Sequence, residues 1–184
     1  ANHPEKVRAE YGLGELGGFT LHMNGRTLYP IQVAEKGICW VKASVRGEPG
    51  HGSVIRDDNA VVRLAEFVAR VGRTRLPLHV AGIVERSFRE MANAQPQPAK
   101  SVLPMVVKKR LSSLVTDVLV PDKGVGRVFA SLIRNTANPT VLRAGTKTNV
   151  VPSEATVELD CRIALGSSRQ ELLTELQGLA GPEV

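Results

Sequence analysis

His51 lies in the segment Gly47-Glu48-Pro49-Gly50-His51-Gly52-Ser53. Glycine on both sides suits a tight loop that brings the backbone close to a neighbour and leaves the imidazole exposed. Taken alone, such a residue is a surface histidine in a Gly-rich turn. Arg162 closes the segment Leu159-Asp160-Cys161-Arg162. Its guanidinium fork can hold a carboxylate bidentately, or it can pair with Asp160 or Glu158. Asn149 opens the segment Asn149-Val150-Val151-Pro152-Ser153-Glu154-Ala155, and Lys147, just before it, is a weaker candidate for anion contact. Glu15 stands in Gly14-Glu15-Leu16-Gly17-Gly18, where the simplest reading is an ordinary turn carboxylate. The other histidines are His3, His22 and His79, and none has a ligand partner at a useful spacing. The chain contains no Glu-Glu pair and no His-x-Asp, so by itself it cannot activate water.

These residues need elements to hold them. Residues 37–47 alternate, with Cys39, Val41, Ala43 and Val45 on one face and Lys42, Ser44 and Arg46 on the other, which predicts a strand buried on one side. Residues 154–165 predict a second strand, with Val157, Leu159, Cys161 and Ile163 opposite Thr156, Glu158, Asp160 and Arg162. Arg162 is therefore expected on the face that the helices leave open. Val61, Leu64, Ala65, Val68 and Val71 predict an amphipathic helix over 59–71, started by Asp58 or Asn59 and ended by Gly72. Ser167–Leu179 predicts another, with a capping box at Ser168 and Glu171 and a stop at Gly181-Pro182.

Between these elements, residues 73–137 read as a helical insertion. A short helix is expected around 82–93, with Val84, Phe88 and Met91 on one face. A second is expected from Pro104, with Val107, Leu111, Leu114 and Val118, and a third over 126–135. Residues 139–149 are expected to be extended, and 1–35 irregular or in short extended pieces. The order strand, helix, insertion, strand, strand, helix predicts an α+β fold. It matches a split β-α-β-β-α-β (ferredoxin-like) two-layer sandwich with a helical insertion, cut before its last strand. The sequence opens Ala-Asn-His-Pro, without an initiator Met or a secretory leader, and a piece of a longer chain is expected.

Composition narrows the function classes. The chain has 184 residues, a formal net charge of +6 and only 4% aromatic residues. That charge would suit an anionic partner, but the basic residues are scattered and the densest run is Lys108-Lys109-Arg110. With so few aromatics for base stacking, a solvated basic surface is favoured and nucleic acid is not an expected partner. A nucleic-acid binder would lose affinity steeply with added salt. No apolar run is long enough for a membrane span. Cys39 and Cys161 lie outside any zinc-finger spacing and on buried strand faces, so they read as inert core thiols in a reducing, cytoplasmic setting.

The three motifs around Glu15, His51 and Asn149–Arg162, in that order on this strand–helix pattern, together resemble the dinuclear-zinc aminoacylase/carboxypeptidase family. That family includes acetylornithine deacetylase, succinyl-diaminopimelate desuccinylase and glutamate carboxypeptidase. The resemblance runs from about residue 9 to the end, weakest across 73–137. It implies that residues 1–35 flank a catalytic domain and that 36–184 form its lid, or dimerisation, domain. It implies two zinc ions in the longer parent, with Glu15 as one carboxylate ligand. It implies that His51 reaches the active site of a homodimer partner and donates a hydrogen bond to the oxygen on which charge develops. Asn149 and Arg162 would hold the substrate, the arginine through a terminal carboxylate, with Glu15 and Arg162 serving their own subunit. The implied reaction is hydrolysis of an amide bond near a free carboxylate, in a peptide or an N-acyl amino acid. Zinc-bound hydroxide would attack and a glutamate outside this chain would shuttle the proton. The family's His-x-Asp, bridging Asp, Glu-Glu pair and last His are absent, so this chain alone is expected to be inactive and to hold little or no zinc. The alternative is a stand-alone dimerisation or binding module without catalysis.

Overall fold

Two ten-residue strands carry the period-two pattern, and in the computed structural model they pair over their whole length. The structure describes every residue except 1, 2, 7, 11–17, 19 and 182–184. It divides into two units, Ala1–Glu35 and Lys36–Val184. The first contains a 3-10 turn at Pro4–Lys6 and a hairpin of β1 (Leu21–Met23) and β2 (Arg26–Leu28). Asn24 and Gly25 join the two strands with φ of 49° and 74°. A two-residue Asn-Gly loop with both φ positive matches the twist of a hairpin, and glycine enters that region without steric cost.

The second unit runs β3 (Gly37–Arg46), β4 (Gly50–His51), α1 (Ala60–Arg73), α2 (Gly82–Asn93), α3 (Ala99–Val102), α4 (Ser112–Leu114) and α5 (Lys123–Leu132). It continues with β5 (Thr136–Arg143), β6 (Val150–Val151), β7 (Glu154–Ile163) and α6 (Arg169–Ala180). The main sheet has the order β3-β7-β5 and is antiparallel throughout. β3 and β5 thus run parallel to each other on either side of β7, which is the split β-α-β arrangement in an α+β fold. The β5–β7 register shifts between Pro139 and Val141. Proline has no N–H for the ladder, so a break in pairing belongs beside it. The strand expected after Gly181-Pro182 would fall on residues outside the described ones.

The inner face of the sheet carries Cys39, Val45, Ala155, Val157, Leu159 and Cys161, all buried, against Leu64, Phe67 and Val71 of α1 and Leu172 and Leu176 of α6. Truncating one such leucine to alanine costs about 2–5 kcal/mol in comparable cores. Helix α1 is capped by Asn59, whose Oδ1 accepts from the Val61 N–H at 2.9 Å. The expected stop at Gly72 is wrong: the helix runs on to Arg73 and ends where Thr74 turns extended (φ −97°, ψ 131°). Gly72 is not in the left-handed region that would make it a terminator. Arg70 of α1 donates to the Leu179 and Ala180 carbonyls at 2.7 and 3.0 Å, tying α1 to the end of α6. Helix α6 starts with the expected capping box: the Glu171 N–H donates to Ser168 Oγ and the Ser168 N–H to Glu171 Oε2.

The insertion differs most from expectation. The helix expected from Pro104 is broken into a 3-10 turn (Leu103–Val107), the single turn α4 and a π-helical turn (Val115–Leu119). Its buried residues are Leu103, Val106, Ser112, Val115 and Thr116, while Leu111, Leu114 and Val118 are exposed. The tight, normal and wide turns advance the chain at different angles, so a uniform 3.6-residue period chooses the wrong face. Within the insertion, Phe88 of α2 meets Phe129 of α5 edge to face, centroids 5.1 Å apart.

Candidate functional site

The loop after β3 is closed by its own side chains. The Glu48 N–H donates to Asp58 Oδ2 at 2.9 Å, and Arg56 Nη1 donates to Glu48 Oε2 at 3.2 Å. A Cβ on Gly47 would run into the Asp58 carbonyl, so only glycine fits where the strand leaves the sheet. The loop is then stitched to the segment before β7. The Gly47 N–H donates to the Ser153 carbonyl at 2.9 Å, and the Gly52 N–H to the Asn149 carbonyl at 2.8 Å. Between these bonds lies the short β4–β6 ladder, in which Gly50 pairs with Val151 and His51 with Val150. His51 and Asn149, expected to act on the same substrate, are thus held together on one small ribbon.

His51 is exposed, and its ring is oriented by Ser53. The Ser53 N–H donates to Nδ1 at 3.3 Å, and the Ser53 hydroxyl lies 2.8 Å from the same nitrogen. A backbone N–H can only donate, so Nδ1 accepts and the neutral ring carries its proton on Nε2. This tautomer presents an N–H donor on the side of the ring away from Ser53. Ser53 was not among the expected site residues, although its position two residues after His51 is the local spacing at which a hydroxyl meets its neighbour.

Arg162 lies elsewhere. It is on the outer face of the sheet, as expected, but it is not free: Nη2 donates to Asp160 Oδ2 at 2.9 Å. Asp160 lies two residues before it in β7, where alternate residues share a face. The step from Glu154 to Arg162 covers about 26 Å at about 3.3 Å per residue. Because the His51 ribbon joins the sheet beyond Glu154, His51 and Arg162 of one chain stand at opposite ends of the sheet. Lys147 is exposed in the turn before Asn149, and its carbonyl accepts from the Val150 N–H at 3.2 Å.

Near Arg162, the Lys36 ammonium donates to the Ser131 and Arg134 carbonyls at 2.8 and 2.7 Å. Burial, with a smaller contribution from the Arg162 charge, pulls its pKa down to about 8. Burial pushes the Cys161 thiol up to about 12, helped by Cys39 and Asp160. That makes it a core group rather than a nucleophile. His79 is also structural: Nε2 meets Glu175 Oε1 at 2.5 Å, and Asn135 Nδ2 donates to Glu175 Oε2 at 2.9 Å. These three residues are far apart in sequence, so no local spacing signals them.

Glu15, the expected zinc ligand, lies outside the described residues. Among the described residues, no three His, Cys, Asp or Glu side chains gather in a group that could hold a metal ion. These residues therefore do not fit a metal site, and their chemistry is hydrogen bonding and charge.

Comparison with known proteins gives the family of the chain. The chain is 29% identical over 150 residues to the N-fatty-acyl-amino acid synthase/hydrolase PM20D1.1 of Danio rerio, covering 80% of this chain and 28% of the relative. It is 28% identical over 146 residues to the PM20D1 protein of Homo sapiens that bears the same description, covering 78% and 28%. The chain thus spans about 28% of the length of these curated relatives. Among solved structures it is similar to the di-peptidase Dug1p of Saccharomyces cerevisiae, at 12% identity and a TM-score of 0.44, covering 79% of this chain and 32% of that one. It is also similar to the M20 family metallo-carboxypeptidase Sso-CP2 of Sulfolobus solfataricus, at 14% identity and a TM-score of 0.42, covering 79% and 39%. Residues 33–183 match the family described as the peptidase dimerisation domain, and the chain belongs to that family.

Proposed function

We propose that this chain is the lid and dimerisation part of a zinc-dependent hydrolase that cleaves an amide bond beside a free carboxylate. The zinc ions and the proton-shuttling glutamate of such an enzyme would belong to residues other than those described. The contribution of this chain is to pair with a second copy and to bring two sets of side chains to two active sites.

The observation that carries this reading is the separation along β7. His51 and Asn149 share one ribbon, and Arg162 lies about 26 Å away along the strand. No small substrate touches both within one chain. In a symmetric pair, each site takes Arg162 from its own subunit and the His51–Asn149 ribbon from the other. Arg162 holds the substrate carboxylate, and His51, with its proton on Nε2, donates to the carbonyl oxygen as negative charge develops on it. Asn149 travels with His51 to the partner's site. The name of the PM20D1 relatives specifies N-fatty-acyl amino acids, which carry an amide and a free carboxylate side by side and so suit this division of labour.

Removing a donor of this kind costs about 10²–10³-fold in turnover in measured oxyanion sites. In the full-length dimer, His51→Ala lowers kcat by about that factor, read by steady-state hydrolysis of an N-acyl amino acid. A variant with near-normal turnover would sink the role given to His51.

A further inference from the structure

On β3 and β7 the outer face of the sheet is polar except at one corner. On β3 that face carries Ile38, Trp40, Lys42, Ser44 and Arg46, and on β7 it carries Arg162, Asp160, Glu158 and Thr156. Ile38 and Trp40 are 60% and 78% exposed, at two successive same-face positions of one strand. Single exposed apolar side chains are ordinary, but an indole and an isoleucine bared side by side mark a surface that something covers. In the register, Ile38 is paired with Arg162 and Trp40 with Asp160. Directly paired side chains stand about 5 Å apart at Cβ and diagonal ones about 7–8 Å, so both apolar groups lie within reach of whatever the guanidinium holds.

The guanidinium is positioned and only partly used. Asp160 accepts from Nη2, and among the described residues no other hydrogen bond engages Arg162. Lys36 lies close enough to act electrostatically on Arg162. Lys36 and Arg162 against Asp160 leave one positive charge at this corner. An apolar wall beside a net positive fork is complementary to an anion that carries an apolar group, and not to a bare anion or a neutral oil.

We propose that Ile38, Trp40 and Arg162 form a subsite for a carboxylate bearing an apolar or aromatic group one or two bonds away. In the proposed reaction this is the amino-acid end of an N-acyl amino acid. Arg162 takes the carboxylate, and Trp40 takes the amino-acid side chain as a specificity-determining residue. The assignment rests on the proposed role of Arg162 and deepens it by naming an apolar, rather than acidic or basic, amino acid as the group recognised.

Trp40 is the one tryptophan of the chain, so its emission reports this corner alone. The chain is titrated with N-acetyl-phenylalanine, with its C-terminal amide, and with N-acetylglycine. The expected result is a saturable change in Trp40 emission with N-acetyl-phenylalanine, at least about tenfold weaker binding for the amide and for N-acetylglycine, and the same loss in Arg162→Gln. Circular dichroism of that variant establishes that it is folded, and the three ligands test the idea on the unaltered chain in any case. In Trp40→Gln, ligand-observed NMR is expected to give N-acetyl-phenylalanine no advantage over N-acetylglycine. Equal responses to the acid and its amide, or no saturable response to the acid, would overturn the proposal. None of these readouts needs turnover or pairing, so they fail independently of the role given to His51.

Discussion

At the residue scale, candidate side chains can be singled out from the sequence more readily than the groups they bond to. His51 and Asn149 could be picked from their glycine-rich and Asn-Val-Val-Pro settings, but Ser53, which fixes the His51 tautomer, could not be ranked above other loop serines. Arg162 could be placed on the open face, yet both a free and a paired state fit the pattern, and the Asp160 bond decides it. The cysteines were legible because alternation put both on the buried face, and the consequence can be tested. With the Cys161 thiol pushed up to about 12 and the side chain buried, almost no thiolate exists near neutral pH. The folded chain at pH 8 is expected to leave Cys161 unlabelled by an alkylating reagent, with labelling rising only as denaturant unfolds it. Rapid native labelling, mapped by mass spectrometry, would contradict the inert assignment.

At the scale of elements, the ends of α1 and α6 bear weight that can be measured. Replacing Asn59 by Ala removes the acceptor for the Val61 N–H, and an N-cap loss of this type costs about 1 kcal/mol. A lowered midpoint in urea with an unchanged slope is the expected result. The capping box adds a pH dependence. The Ser168 hydroxyl, and after it the Ser168 backbone N–H, hold the Glu171 carboxyl below its usual range. The unfolded chain therefore takes up this proton first as the pH falls. The contribution is fully present above the unfolded pKa and is lost as the pH drops through the folded one. Glu171→Gln is expected to flatten this part of the acid limb when stability is followed against pH, and an unchanged limb would refute the assignment.

The same scale shows why part of the fold was unreadable. β3 and β7 alternate at a single period and α6 starts on a capping box, so pattern alone locates them. Residues 99–119 change helix type three times within about twenty residues, and no constant period describes them. The β1–β2 hairpin is a different case. Its Asn24-Gly25 signal was present, but three-residue strands are too short to show alternation.

At the scale of the whole molecule, the ribbon with His51 and Asn149 lies at one end of the main sheet and Arg162 at the other, and the proposed pairing rests on that separation. Within one chain the two groups are too far apart to share a substrate, and across a two-fold axis they need not be. Two full-length variants, each inactive alone, test this most directly: His51→Ala, which spoils the site of its partner, and Arg162→Gln, which spoils its own. When the two are mixed and allowed to exchange subunits, each mixed dimer contains one site with an intact Arg162 and an intact partner His51. Random exchange makes half the dimers mixed, so the account predicts recovery of about one quarter of wild-type hydrolysis. If the mixture stays as inactive as its components after exchange is shown to be complete, His51 and Arg162 do not act from different subunits, and the account is wrong.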